Sequence, residues 1–170
     1  MIDIRLLQPD DAQIYWDLRL FALQESPASF GSTWEESVNR PNPLEQVMER
    51  LQPSDHMFSM GAFDEGQLIG VVTIVRESQI KFAHRADLFA MYVSPQARGK
   101  GIAKQLIQKA VEKTSRMNGL EQINLTVAST NQAARRLYES VGFVEFGYEE
   151  KAMKHGDEYW DEVWMKLQLS

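Results

Sequence analysis

The chain has 170 residues, no cysteine, and 24 acidic against 18 basic side chains, for a formal charge of −6. That length holds one core of ordinary domain size. Disulfides and thiolate chemistry are excluded, and the acidic balance argues against a protein that neutralises phosphates along DNA or RNA. Three dispersed histidines, His56, His84 and His155, have no metal-ligand spacing, and no stretch approaches the roughly 20 apolar residues of a membrane span. The expectation is one domain over residues 1–170 in the cytoplasm, with no metal, membrane or nucleic-acid partner. The charge is uneven: basic residues concentrate between Arg98 and Arg136, and acidic ones dominate both ends.

Ile2, Ile4 and Leu6 alternate with Asp3 and Arg5, the period of a first strand. Asp10 is placed to cap a helix carrying Ala12, Ile14, Tyr15, Leu18, Phe21 and Ala22 at helical spacing, until Ser26-Pro27 stops it. Residues 27–43 hold prolines and mixed polar residues and predict a loop with at most a short helical turn; a second helix fits Leu44 to Leu51. Phe58 to Phe63 and Leu68 to Val75 form a hairpin around Asp64-Glu65-Gly66-Gln67. Asp87 to Val93 is a further strand. The strongest helix runs from about Gly101 to Met117, with Ile102, Ala103, Leu106, Ile107, Ala110 and Val111 on one stripe. A strand over Ile123 to Val127, a helix capped by Thr130 and closed by Gly142, and two strands, Phe143 to Tyr148 and Tyr159 to Leu167, follow; Glu149 to Glu158 reads as a polar loop. This order predicts a mixed α/β domain whose sheet contains parallel neighbours.

The segment Tyr92-Val93-Ser94-Pro95-Gln96-Ala97-Arg98-Gly99-Lys100-Gly101-Ile102-Ala103 puts a glycine-rich turn between a strand and the strongest helix. Such a junction is an anion site, because unpaired N–H groups of the first turn point outward and glycines let the backbone approach a phosphate. A solvated turn flanked by two basic residues is the plainer alternative. The dinucleotide fingerprint fails, since position 104 is Lys, and so does the P-loop, since Gly99-Lys100 is followed by Gly101. Gln-x-x-Gly-x-Gly, read as Gln96, Gly99 and Gly101, does fit. Downstream, Asn131-Gln-Ala-Ala-Arg-Arg-Leu-Tyr138-Glu-Ser-Val-Gly-Phe143 opens a helix with Asn and carries Tyr two turns later. Helical geometry puts Asn131, Arg135 and Tyr138 within a roughly 60° arc, away from Ala133, Leu137 and Val141, so the core stripe is not expected to need Tyr138.

Together these residues resemble the GNAT superfamily of N-acetyltransferases, most specifically from Met91 to Phe143. The resemblance implies a mixed, mostly antiparallel sheet of about seven strands flanked by about four helices, and an acetyl-CoA co-substrate whose pyrophosphate lies on the loop. It assigns Gln96, Arg98, Gly99, Lys100, Gly101, Ile102, Ala103, Asn131 and Arg135 to the cofactor, backbone donors at Met91, Tyr92 and Val93 to the oxyanion, and Tyr138 to protonation of the departing thiolate. Amine attacks thioester directly, so no enzyme nucleophile is needed.

Asp87 matches the position where some members carry a carboxylate base; a solvated carboxylate or one paired with Arg85 is the alternative, and His84, Glu35, Glu36 or a water chain would also serve. The resemblance frames an acceptor pocket with residues 18–36, including Phe30, Trp34 and Glu35, and with 149–160. Their acids and aromatics suit a cationic small-molecule or peptide amine, or form a solvated rim. A catalytically silent acyl-CoA sensor of the same fold is the competing reading, and a homodimer is an assembly the fold accommodates.

Overall fold

The computed structural model describes residues 1–169. Seven strands, β1 (Ile2–Leu6), β2 (Met57–Asp64), β3 (Gln67–Arg76), β4 (Arg85–Val93), β5 (Gln122–Ala128), β6 (Val144–His155) and β7 (Glu158–Gln168), form one sheet ordered β1-β2-β3-β4-β5-β7-β6. All neighbours are antiparallel except β4 and β5. That one parallel pair is where a helix returns the chain, as a crossover requires.

The helices are α1 (Ala12–Glu25), α2 (Trp34–Val38), α3 (Pro43–Leu51), α4 (Ile102–Ser115) and α5 (Gln132–Val141). They cover both faces. Val71 joins Tyr15, Trp16 and Leu23 of α1 and Val47 and Leu51 of α3 in one cluster. Its neighbour Val72 joins Ile102, Leu106, Ile107 and Ala110 of α4 in the other. Burial on both faces explains why β3 reads as an unbroken apolar run.

Several boundaries differ from expectation. Asp10 does not cap α1; Asp11 stands at that end, and its carboxylate accepts two hydrogen bonds from the Arg5 guanidinium, at 2.8 and 2.9 Å. Ile14 and Phe21 are exposed, and Trp16 and Leu23 are buried in their place. Among the described residues five helices stand where about four were expected. The additional one, α2, is nucleated by a capping box in which Thr33 Oγ1 accepts from Glu36 N–H and the Glu36 carboxylate accepts from Thr33 N–H. The polar stretch 149–158 is mostly strand: β6 continues to His155 and turns through Gly156-Asp157 into β7. Because β6 is a sheet edge exposed along most of its length, residues 149–155 carry charge instead of alternating apolar residues.

Candidate active site

β4 parts from both neighbours. On the β3 side Val71 pairs with Tyr92 and Thr73 with Phe89, so Ala90 and Met91 together stand opposite Val72. Ala90 takes a left-handed φ of +54°, a conformation costing a non-glycine residue about 1–3 kcal/mol and found disproportionately at functional sites. On the β5 side the parallel pairing ends at Asp87 and Asn124, while Leu125–Ala128 stay with β7. The two strands therefore open into a wedge. Met91 is half-buried and Tyr92 and Val93 are buried where the bulge and the wedge meet.

From its wide end β4 enters the turn before α4. Gly99 and Gly101 have φ of +78° and +79°, and a Cβ built on either meets no atom within 4 Å. The N–H groups of residues 99–104 find no acceptor among the described residues: Arg98 N–H donates to Pro95 and the next backbone donor is Gln105, to Gly101. Six consecutive free amides at the positive end of a 14-residue helix form a phosphate-sized cradle. Gln96 and Lys100 are exposed beside it, and Ile102 anchors it by packing into the core.

Arg98, expected to add charge to the loop, is engaged elsewhere. Its Nε donates to Val93 O at 2.9 Å and its Nη2 to Glu25 Oε1 at 2.5 Å, and that same oxygen accepts from the Tyr92 hydroxyl at 2.6 Å. The Arg98 bond, then the Tyr92 bond, hold the Glu25 carboxyl below its ordinary range. Glu25 thus ties the end of α1 to the bulged strand and to the loop.

Asn131 is the N-cap of α5, a role expected of Thr130; its Oδ1 accepts from Ala134 N–H at 3.1 Å. Replacing Asn131 by Ala is expected to cost about 1 kcal/mol, read as a lower urea midpoint with an unchanged slope. Arg135 donates to Glu145 at 2.6 and 3.0 Å and to Ser129 O at 2.9 Å, fastening α5 to β6. Tyr138 corrects the sequence reading of this helix. It is the most buried residue of α5, lying edge-on to Phe143 with ring centroids 5.7 Å apart, whereas Ala133 is exposed. The inward face is Ala134, Leu137, Tyr138 and Val141. Burial alone raises the phenol above its ordinary value, with no hydrogen bond contributing.

Asp87 lies at the closed end of the wedge, opposite Val75 of β3. Glu77 lies two residues further, on the same face of the sheet, its N–H bonded to Arg85 O. Burial, then hydrogen bonding and repulsion from the Glu77 carboxyl, push Asp87 up to about 7 against the pull of Arg85. No ion pair joins Asp87 to Arg85 among the described residues. Phe30 is buried against Tyr92, centroids 6.1 Å apart, and Trp34 packs on the same cluster, whereas Glu35 is exposed on α2 and Glu36 is occupied as the box partner of Thr33.

Glu77, Glu25 and Arg19 complete this region and were not singled out by sequence. Glu77 and Glu25 owe their place to pairings across 10 and 73 residues, which leave no local signature. Arg19 did leave one: at i, i+4 and i+7, Tyr15, Arg19 and Ala22 share a helical stripe, and a charge on a buried stripe marks a site. Among the described residues no group of His, Asp or Glu is arranged to hold a metal ion, and no helix is long and apolar enough to cross a membrane.

The acetyltransferase (GNAT) family model matches residues 18–143. Over 81 residues the chain is 38% identical to spermidine N(1)-acetyltransferase of Vibrio cholerae, a match spanning 48% of this chain and 45% of that protein. It is 27% identical over 126 residues to the L-amino acid N-acetyltransferase AaaT of Escherichia coli, spanning 74% and 77% of the two chains. Its fold is similar to that of the putative acetyltransferase yncA of Salmonella typhimurium, solved with its cofactor acetyl-CoA, with a TM-score of 0.85 and 20% identity over 100% of this chain and 95% of that one. The matched segment holds the bulge, the wedge, the amide cradle and Tyr138 together, and the chain belongs to the GNAT family of acetyl-CoA-dependent N-acetyltransferases.

Proposed function

We propose that this chain works as a single cytoplasmic domain, alone or as a homodimer, and moves the acetyl group of acetyl-CoA directly onto the primary amine of a small-molecule or peptide acceptor. The observation that carries this is the wedge between β4 and β5, with six unpaired amides at its mouth and a carboxyl pair at its closed end. The amides of residues 99–104, with Lys100 beside them, receive the pyrophosphate; Met91, Tyr92 and Val93 supply backbone donors near the carbonyl oxygen.

An acceptor amine reaches the site as an ammonium ion, cationic at its reacting nitrogen. Asp87 removes its proton, directly or through water, and a carboxyl held near neutrality is suited to that task. The nitrogen then bonds to the acetyl carbon, the carbon–sulfur bond breaks, the sulfur takes the Tyr138 proton, and the second proton that the nitrogen loses on becoming an amide returns, through water, to the phenolate. A phenol raised by burial remains protonated and able to donate. The similar proteins act on a polyamine in one case and on amino acids in the other, acceptors that share an amine and differ in the charge carried beside it.

The test is CoA thiol release from acetyl-CoA with a panel of primary amines. Binding of acetyl-CoA without release of CoA to any amine would favour the silent sensor. Tyr138→Phe, which keeps the ring in the core, is expected to lower kcat about 10²-fold with the acetyl-CoA KM changed less than about threefold; an unchanged kcat would remove Tyr138 from the proton path.

A further inference from the structure

Four arginines of this chain, Arg5, Arg98, Arg116 and Arg135, are paired with carboxylates. Arg19 is not. It projects from the inward stripe of α1 into a narrow crevice lined by Tyr15, Ala22, Phe30, Val71, Ala90 and Tyr92, with its guanidinium 5.2 Å from the Phe30 ring centroid. No carboxylate lies within ion-pair distance of it among the described residues. Burial pushes its pKa down, Tyr15 opposes this, and the other charges bearing on it are two more cations, Arg40 and Arg50.

A guanidinium half withdrawn from water without an anion is costly, and such a cost is kept where a ligand supplies the missing charge. The planar fork with its parallel N–H groups matches a carboxylate in a two-bond arrangement. The location gives the ligand its identity. Ala90, the strained residue of the β4 bulge, and Tyr92, beside the proposed carbonyl site, form a wall of the same crevice. Whatever anion Arg19 holds therefore lies next to the reacting centre and belongs to the acceptor molecule. The three arginines also make this crevice repel a second positive charge, whatever the acids on the 149–158 hairpin attract from outside.

We propose that Arg19 binds a carboxylate of the acceptor, so that the amine acetylated by this chain is part of an amino acid or a similar carboxylate-bearing molecule and not of a polyamine. This rests on the acetyl-transfer reading and names its substrate class. Arg19 fixes the anionic end, and the bulge and Asp87 meet the ammonium end of the same zwitterion.

The test compares amino acids with the amines formed by removing only their carboxylate, and with spermidine, by CoA release at saturating acetyl-CoA. The expected result is kcat/KM at least about 10²-fold higher for the carboxylate-bearing member of the best pair. Arg19→Gln should lower kcat/KM for that amino acid by a similar factor, chiefly through KM, while its decarboxylated partner changes less than about threefold and acetyl-CoA affinity by calorimetry is unaltered. Arg19→Lys should restore part of the loss. Arg19→Met, which removes a cation lacking a partner, should melt no lower than the native chain and show the same substrate defect, separating recognition from folding. Equal or better use of the decarboxylated amine or spermidine would overturn the proposal, as would an equal loss on both members in Arg19→Gln. If acetyl-CoA binds and no amine releases CoA, the transfer reading has failed. Arg19 is then judged by calorimetry of the amino acids on the acetyl-CoA-loaded protein: binding lost in Arg19→Gln supports the carboxylate site, and no binding to the native chain overturns it.

Discussion

Asp87→Asn is expected to lower kcat/KM for acetyl transfer by about 10²–10⁴-fold, the usual worth of a positioned base, and at pH 8 to raise the melting temperature. Both effects come from one environment. Half-buried and facing Glu77, Asp87 is pushed up to about 7 from 3.8. The rate then depends on the deprotonated form, so kcat/KM falls as pH drops through about 7, and Asn erases that limb while leaving the one set by the amine itself. Stability runs the other way. Between about pH 4 and pH 7 the folded chain binds a proton at Asp87 that the unfolded chain has released, so the contribution of this group is present below about 4 and is lost as pH rises through about 7. With solvent screening of a half-exposed carboxyl pair, this contribution is on the order of 1–2 kcal/mol. For a chain of this length that corresponds to a rise of about 2–8 °C in Tm for Asp87→Asn at pH 8, and to less at pH 5, where Asp87 is already protonated. Glu77→Gln removes the repelling charge and should move the rate limb to lower pH. A limb near pH 7 that survives in Asp87→Asn would remove Asp87 as the base.

The parts of the site that sequence made legible are local, and the parts it hid are long-range. The cradle could be read because its glycines, the helix after it and the strand before it are contiguous. Tyr138 is legible as a functional candidate but not as a buried one: an idealised wheel runs the core stripe through Ala133, Leu137 and Val141, whereas packing against Phe143 sets α5 so that Tyr138 and Ala134 face inward with Leu137 and Val141. The second half of the edge strand β6, residues 149–155, carried no period-2 signal because almost none of it is buried, whereas Val144, Phe146 and Tyr148 alternate in its first half. The bulge at Ala90 depends on one residue more in β4 than in β3, a mismatch visible only once the strands are aligned. The Thr33 and Glu36 box was legible, and reading it would have placed α2. Glu77, by contrast, matters only because β3 and β4 run antiparallel in a particular register.

Gly101→Val is expected to weaken acetyl-CoA binding by about 10²-fold without unfolding the chain. At φ +79° a β-branched residue is strained by about 1–3 kcal/mol, a modest part of the stability of a domain this size. The added side chain strikes no protein atom, because nothing lies within 4 Å of a Cβ there. The space it takes is the space above the free amides of residues 99–104, so the penalty falls on the ligand. Two controls isolate the backbone contribution. Lys100→Ala removes an exposed charge and should cost less than about tenfold, an effect that shrinks as salt rises. Arg98→Ala should act through the loop instead, because its guanidinium is committed to Val93 O and Glu25; its loss should therefore be insensitive to salt. Calorimetric titration with CoA at two salt concentrations separates the three, and native affinity in Gly101→Val would place the pyrophosphate elsewhere. A chain of net charge −6 can hold a pyrophosphate in this way because the recognising groups are neutral amides aligned by a helix, which no count of lysines and arginines registers.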